Sequence, residues 1–441
     1  MRKSLLASVL ATSFLSGEAT FDETVLRANN TLGRPWNWLK PLTRRYFKKF
    51  SKGIRPRHRE VVAFLLSDAG FRRATAKYTD QLSVRNWLAA PQQMQPFEAA
   101  RKWDLPRIES PRALAEWLGV SLDDLRWFAD LKGLAHKNGF FKLQHYCYRV
   151  LAKDSGSIRL IEAPKIRLKE LQRRILKEIL QRIPAHPAVH GFVHGRSIHT
   201  FAAPHAKRQV VLRMDLRDFF PSFSGVRVQS MFRTVGYPES VADLLGGICT
   251  TITPKGVWAN SAIPAADLFD LKSVYSRPHL PQGAPTSPLL ANLCTYRVDC
   301  RLSGLATSAG AEYTRYADDL AFSGDREFEK RVGRFSNHVG AILMEEGFAV
   351  HFRKTRIMRQ GVRQHLGGLV LNQGVNVMRP DFELLKAMLT NCVRFGPASQ
   401  NRDQHAYFCA HLVGRVSYME AINPTKGRRL RSIFERIEWL N

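Results

Sequence analysis

Three aspartates lie next to stretches whose residue patterns are typical of β-strands. Asp215 follows the mostly apolar run 210–214, and the adjacent Asp318 and Asp319 interrupt a run of β-type residues, 312–322. The second pattern predicts a hairpin with its turn at the acids. Hard divalent cations prefer carboxylate oxygens, and a pair of such cations stabilises the attacking and leaving oxygens of an in-line phosphoryl transfer. A solvated turn that happens to carry two aspartates is the alternative.

The charge balance indicates a polyanionic partner. The 441 residues include 67 Lys and Arg against 38 Asp and Glu, a net charge of +29, which attracts nucleic acid. A basic protein that is merely soluble is the alternative. Residues 31–60 carry ten basic residues and one acid, interleaved with Trp36, Trp38, Tyr46, Phe47 and Phe50. This stretch predicts either phosphate and base contacts or an amphipathic helix with a solvated basic face.

The elements that position the acids alternate in type. Residues 146–151, 158–161, 210–214 and 312–322 read as strands, and 166–183 reads as a basic helix. Ser110-Pro111 and Gly119 predict the start and end of a short helix. Helices also dominate residues 381–439. The fold class is therefore α+β, with a helical basic N-terminal extension (1–135), a mixed core (136–375) and a helical C-terminal module (376–441).

The six cysteines show neither a CxxC pair nor zinc-ligand spacing, which indicates buried thiols in a reducing compartment. Residues 5–15 faintly resemble a secretory signal, but polar residues interrupt the run. We therefore expect a cytoplasmic protein, and no stretch reaches the roughly 20 apolar residues of a membrane span.

Several motifs resemble those of reverse transcriptases, in that family's order. Tyr316-Ala317-Asp318-Asp319 resembles the active-site signature, and LPQGAPTSPLLAN at 280–292 resembles the segment that contacts template and incoming nucleotide. KDSGSIRLI at 153–161 is similar to the fingers hairpin. Lys354-Thr355 and Gly367-Gly368 resemble the pyrophosphate-side lysine motif and the primer grip. The order of five matches across about 220 residues excludes chance better than any single motif does.

The resemblance implies a right-hand polymerase fold with fingers, palm and helical thumb. Two Mg²⁺ ions would be held by Asp215, Asp318 and Asp319. The implied nucleotide-binding residues are Lys153, Arg159, Phe220, Gln282 and Lys354, with Phe220 closing the sugar 2′ side. The implied nucleic-acid-binding residues are Gly283, Pro285, Ser287, Gly367 and Gly368.

Two further stretches, LAEWLGV at 114–120 and GFVHGRSI at 191–198, resemble retron reverse transcriptases, above all the myxobacterial type. The chain departs from the retron pattern at Phe201–His205, where the usual asparagine is replaced, and at Leu366-Gly367-Gly368, where Val-Thr-Gly is usual. In retron enzymes both regions are associated with recognition of the cognate structured RNA. The departures leave the polymerisation motifs intact but weaken the resemblance to retron enzymes in particular.

The retron resemblance implies a structured noncoding RNA as template and primer, and a short DNA product of the msDNA kind. It also implies a role in antiphage defence with an effector protein. Another defence-associated or group II intron-like reverse transcriptase, or a non-catalytic RNA-binding scaffold, stays open.

Overall fold

Helices occupy the start and the end of the chain, and strands occupy its middle, which confirms the α+β class. The structure is a computed structural model that describes residues 2–50, 56–87, 91–135, 137, 144–152, 158–258 and 272–439. Its contacts form two units, Met1–Pro184 with Phe220–Cys294, and Ala185–Phe219 with Thr295–Asn441. Among the described helices, none combines the length and hydropathy of a membrane span.

The α-helices include Lys3–Leu15, Phe21–Leu32, Leu39–Lys49, His58–Ser67, Ala69–Lys77, Pro111–Leu118, Leu122–Ala129, Ile166–Glu178, Ile198–Ala202, Phe219–Ser222, Gly225–Thr234, Glu239–Cys249, Ser287–Cys294, Tyr296–Ser308, Arg326–Glu345, Arg379–Phe395, Phe408–Ile422 and Pro424–Phe434. The strands are β1 Tyr146–Ala152, β2 Ile158–Pro164, β3 Val210–Arg217, β4 Glu312–Tyr316, β5 Asp319–Gly324, β6 Ala349–Val350, β7 Arg356–Arg359, β8 His365–Leu366, β9 Leu369–Val370 and β10 Asn376–Val377. Short 3₁₀ helices include Glu98–Trp103, Leu180–Arg182, Ala203–His205, Lys255–Trp258, Phe352–Lys354 and Pro397–Ser399.

An antiparallel sheet in the order β4-β5-β3-β6, with β7 also paired to β3, forms the centre of the second unit. Strand β3 is almost wholly buried and runs between β5 on one side and β6 and β7 on the other. Its apolar side chains explain why it takes the central position. The sheet and β8–β10 share a hydrophobic core with the helices Arg379–Phe395, Phe408–Ile422 and Pro424–Phe434.

In the first unit, β1 and β2 pair from Tyr146 with Pro164 to Ala152 with Ile158. This antiparallel pairing confirms that the two predicted strands form a hairpin. Arg159 is exposed on β2 opposite Leu151. Lys153, predicted to bind nucleotide, lies outside the described residues.

Local sequence rules set the ends of several elements. The Ser110 hydroxyl accepts a hydrogen bond from the Ala113 N–H, and Gly119 takes φ 72° at the other end of that helix. Both features confirm the predicted caps. The signal-like run lies in the helix Lys3–Leu15, where Leu6, Leu10 and Phe14 are buried in a core of N-terminal helices.

A buried histidine joins two strands of the central sheet to the 3₁₀ helix Ala203–His205. His205 is fully buried, and its ring nitrogens lie 2.7 Å from the hydroxyls of Ser323 on β5 and Thr314 on β4. Burial lowers its pKa to about 3, and the nearby positive charge of Arg208 acts in the same direction. In the folded state the imidazole is therefore neutral through most of the acidic range.

We expect His205 to lower the free energy of unfolding as the pH drops below 6.5, the ordinary pKa of histidine. The unfolded chain binds a proton near pH 6.5, whereas the folded chain resists it until about pH 3. The contribution of neutral His205 to the free energy of unfolding is therefore fully present above about pH 6.5, and it is lost as the pH falls towards 3. From pH 7.5 to 5, this site alone removes about 2 kcal/mol from the free energy of unfolding.

Urea unfolding at pH 7.5 and pH 5 measures this loss in the wild-type chain and in His205→Gln. The glutamine can bridge the two hydroxyls but cannot be protonated in this range. The variant should lose less stability on acidification than the wild type. Equal losses of stability in both proteins would show that His205 does not cause the pH dependence.

Candidate active site

The two adjacent acids lie at the tip of the hairpin formed by β4 and β5. Tyr316 pairs with Asp319, so Ala317 and Asp318 form the two-residue loop, as the sequence pattern predicts. Ala317 has φ 55°, in the left-handed region that non-glycine residues rarely adopt. Such a backbone persists only where its surroundings hold it, and it is common at functional sites.

Two features hold this turn. The buried Arg315 donates from Nη1 to the Ala317 carbonyl oxygen at 3.0 Å. Gly191 packs against the other side of the turn, where a Cβ would lie 2.8 Å from the Ala317 nitrogen. Lack of space for a Cβ atom therefore explains why position 191, within the stretch that resembles retron enzymes, is a glycine.

The guanidinium of Arg315 is itself held by a buried carboxylate. Its Nε and Nη2 donate to the two oxygens of Asp299 at 2.8 and 2.7 Å, and Nη2 also donates to the Thr295 hydroxyl. The Tyr313 hydroxyl donates to the same carboxylate. Both charged side chains are almost inaccessible to solvent. The acidic turn is thus built on a buried ion pair.

Strand pairing brings the third acid to the same place. Asp215, near the end of β3, is the register partner of Asp319 on β5. The Leu216 N–H donates to the Asp318 carbonyl oxygen at 3.0 Å. Directly opposed residues of antiparallel strands have Cα atoms about 5 Å apart. Residues more than 100 positions apart therefore converge, as the sequence interpretation requires.

Two cationic side chains contact these acids. Arg213, two residues before Asp215 on β3, donates two hydrogen bonds to Asp319, from Nε to Oδ1 and from Nη2 to Oδ2, each at 2.7 Å. The Nζ of Lys354 lies 3.1 and 3.2 Å from the two oxygens of Asp215. Asp319 and Asp215 are thus each paired with a basic residue.

The electrostatics of the turn favour added positive charge. Burial raises the pKa of Asp318, and the neighbouring charge of Asp215 raises it further. Burial also raises the pKa of Asp319, although the hydrogen bond from Arg213 opposes the shift. A bound cation would favour the ionised forms of both carboxyl groups.

The acids differ in their freedom to bind a metal. In the described part of the chain, no set of three His, Cys, Asp or Glu side chains has metal-holding geometry. Both carboxylate oxygens of Asp319 are bound by the guanidinium of Arg213, whereas Asp215 contacts only the ammonium group of the half-exposed Lys354. Carboxylates are suitable ligands for Mg²⁺, so Asp215 and Asp318 fit a hard divalent cation.

A family model described as reverse transcriptase (RNA-dependent DNA polymerase) matches residues 151–368. The chain is 38% identical over 329 residues to the retron Mx65 reverse transcriptase of Myxococcus xanthus, covering 75% of this chain and 72% of that protein. Identity to the retron Mx162 reverse transcriptase of the same organism is 35% over 356 residues, 77% and 70% of the two chains. The chain belongs to the retron reverse transcriptases. It is an RNA-directed DNA polymerase, and its family implies the right-hand polymerase fold.

A third relative extends the family likeness beyond Myxococcus. The retron Ec86 reverse transcriptase of Escherichia coli is 30% identical over 288 residues, 64% of this chain and 77% of that protein. The comparisons thus confirm the family that the motifs indicated.

In the first unit of this reverse transcriptase, the segment around Gln282 is held against β2. The Glu162 N–H donates to the Gln282 carbonyl oxygen at 2.8 Å. Gly283 has φ 134°, and a Cβ there would lie 2.9 Å from the Glu162 carbonyl oxygen. The glycine therefore permits the close approach of the two backbones. Gln282 itself is half-buried.

A buried polar cluster fixes the same segment from within. The Glu162 side chain accepts from the Thr253 hydroxyl at 2.7 Å and contacts His279 Nε2 at 2.9 Å. Glu162 and His279 are both fully buried. The other ring nitrogen of His279 lies 2.8 Å from the Arg277 carbonyl oxygen. This pair anchors the chain just before the predicted nucleotide-binding segment.

The remaining predicted residues divide between the units. Phe220 and Pro285 are half-buried and Ser287 is buried, all within the first unit. Gly367 and Gly368 lie in the second unit as the two loop residues between β8 and β9, with φ 52° and 82°. Two positive φ angles are what a tight hairpin of this length demands, so turn geometry alone accounts for both glycines.

Sequence reasoning named Lys354 as a site residue but missed Arg213 and the buried pair of Arg315 and Asp299. A signal existed for Arg213, because alternation along a strand places it on the same face as Asp215. None existed for Asp299, which lies in the helix Tyr296–Ser308 and meets Arg315 only through the fold.

Proposed function

We propose that this enzyme copies a structured noncoding RNA, which serves as template and primer, into a short single-stranded DNA of the msDNA kind. The observation that carries the proposal is the register pairing of Asp215 with Asp319 beside Asp318. The net charge of +29 supports a polyanionic template. The named relatives are all retron enzymes. We further propose a role in antiphage defence with a separate effector protein.

In this proposal Asp215 and Asp318 hold two Mg²⁺ ions. When bound, the ions stabilise the attacking and leaving oxygens of nucleotide transfer. Asp319 is the third acid, and Arg213 fixes its orientation through two hydrogen bonds. Lys354 balances the charge of Asp215 and would turn to the triphosphate when nucleotide binds. Lys153, Arg159 and Gln282 would contact the incoming nucleotide.

We assign residues 136–375 to the fingers and palm, 376–441 to the thumb and 1–135 to an N-terminal extension. The hairpin of β1 and β2 would form part of the fingers, and the sheet around β3 the palm. Gly283, Pro285, Ser287, Gly367 and Gly368 would contact template and primer. The backbone roles of Gly283 and the Gly367-Gly368 turn are compatible with such contacts, since glycine also exposes backbone to a ligand.

Phe220→Ala should increase ribonucleotide incorporation. Phe220 lies five residues beyond Asp215, and a half-buried aromatic ring at that position would close the pocket against the sugar 2′ hydroxyl. The relative kcat/KM for dGTP and GTP on one primer–template measures the preference. Phe192→Ala, which removes an exposed ring, is the control. An unchanged preference in the Phe220 variant would contradict the assignment.

Sequencing the nucleic acid that copurifies with the enzyme tests the proposed function. We expect one RNA species joined covalently to a short DNA copied from it. An unlinked DNA copied from various RNAs would instead favour another defence-associated or group II intron-like enzyme. RNA without DNA, from a chain that also fails to extend a primer, would favour a non-catalytic scaffold.

A further inference from the structure

The N-terminal helices form a module with its own hydrophobic core. The helices from Lys3–Leu15 to Ala69–Lys77 pack on one another within the first unit. The core is built from buried side chains of all five helices, among them Leu6, Phe14, Ala28, Leu42, Val61 and Phe71. The surface of this module is therefore held on a folded support.

The aromatic residues of the basic stretch belong to this support. Trp36 and Tyr46 are buried, and Trp38, Phe47 and Phe50 pack against the same core. The Trp36 ring contacts Tyr78 at 5.1 Å, and the Arg34 guanidinium covers it at 4.1 Å. Stacking on unpaired bases requires open ring faces. These rings pack against the core of the module, which argues against base stacking and leaves phosphate contacts by the basic residues open.

The basic residues face the solvent instead. The helices Leu39–Lys49 and Ala69–Lys77 contain five and three basic residues, respectively, and no acid. Lys40, Arg44, Arg72 and Arg73, which we call the basic face, are all exposed. The basic face is thus a surface where positive charge accumulates.

The two helices of the basic face are tied together. Arg45 binds both oxygens of Asp68, the residue that caps the second helix, at 2.7 and 2.9 Å. Trp38 meets Phe71 edge-on at 6.1 Å between ring centroids. The acid at this junction is therefore already paired with Arg45, and the neighbouring basic residues lie on connected helices.

We propose that the basic face binds the sugar-phosphate backbone of a base-paired RNA stem. Exposed cations on helices without acids attract phosphates, and aromatic rings packed against the core are a poor platform for unpaired bases. Paired RNA is recognised mainly through its shape and backbone. The proposal rests on the proposed function, because it assigns the stem to the structured RNA template. The basic face would be an RNA-binding surface outside the predicted fingers, palm and thumb.

The test replaces the basic face by glutamine: Lys40→Gln, Arg44→Gln, Arg72→Gln and Arg73→Gln together. Binding of an RNA hairpin and of single-stranded DNA of equal length is measured at several KCl concentrations. If each cation meets one phosphate, the slope of log affinity against log salt should decrease by about three for the hairpin. The DNA should show a much smaller change.

A matched control removes four exposed basic residues from the helix Arg326–Glu345, namely Arg326→Gln, Lys330→Gln, Arg331→Gln and Arg334→Gln. It changes the net charge equally and should leave the slope for the hairpin unchanged. The half variants Lys40→Gln/Arg44→Gln and Arg72→Gln/Arg73→Gln should each give about half of the slope change. Thermal unfolding verifies that every variant folds.

An unchanged hairpin slope in a folded fourfold variant would overturn the proposal. So would a loss equal to that of the control, or a loss confined to single-stranded DNA, which would assign the surface to the product. Loss of an acidic protein partner with intact RNA binding would overturn it as well. The binding assay needs no polymerisation, so failure of the unaltered enzyme to extend a primer would sink the proposed function separately.

Discussion

Asp318→Asn is expected to lower the rate of DNA synthesis about 1,000-fold or more, equivalent to about 4 kcal/mol in activation free energy. The change keeps the size of the side chain and removes the charge that a divalent ion requires. Asp318 lies at the hairpin tip beside Asp215, whose negative charge makes the pocket attractive to cations. Single-turnover extension of an annealed primer at saturating Mg²⁺ measures the effect.

The control for this variant is Asp325→Asn, seven residues further along. Asp325 caps the helix Arg326–Glu345 through the N–H groups of Glu327 and Phe328, and asparagine caps equally well. Its activity should stay near that of the wild type. RNA affinity should be intact in both variants, because phosphate contacts depend on Lys and Arg. Equal loss of RNA binding and synthesis in Asp318→Asn would count against a catalytic role. We expect Asp318→Ala and Asp319→Ala to abolish synthesis in the same way.

Arg315→Met should reduce the free energy of unfolding by about 3–5 kcal/mol, because it leaves the carboxylate of Asp299 buried without its counter-charge. The ion pair is 2.7 Å long, and its side chains are 1% and 0% exposed. Loss of the hydrogen bond to the Ala317 carbonyl should also loosen the acidic turn. Urea unfolding measures the loss of stability, and the rate of primer extension measures how far loosening of the acidic turn reduces DNA synthesis.

The surface pair of Arg359 with Glu329 provides the comparison, since its side chains are 61% and 25% exposed. Arg359→Met should cost less than about 1 kcal/mol. The double variant Arg315→Met/Asp299→Leu should lose less than the sum of its single variants, because neither charge is left alone. Similar costs for Arg315→Met and Arg359→Met would refute the buried-pair interpretation.

The elements that hold the acids were predictable because their signals are local. An apolar run ending at Asp215 predicts a buried strand, and β-type residues around Asp318 and Asp319 predict a hairpin. The resulting strands β3, β4 and β5 follow these signals closely. The caps at Ser110 and Gly119 were equally local.

The buried groups that support the site were not predictable because they depend on the fold. A fully buried arginine such as Arg315 is rare, and its sequence neighbours give no sign of its burial. Asp299 becomes its partner only when the helix Tyr296–Ser308 packs beside β4. The same holds for Glu162 and His279, which are 117 residues apart. Composition also left open whether Trp36 stacks on bases, and tertiary packing decides that it belongs to the core.

Anomalous diffraction from crystals soaked with Mn²⁺, an annealed RNA–DNA primer–template and a non-hydrolysable nucleotide tests the metal assignment most directly. We predict two manganese peaks bound by the carboxylates of Asp215 and Asp318, with Arg213 still paired to Asp319. Peaks that avoid Asp215, or an absence of peaks between these strands despite ordered nucleotide, would contradict the account.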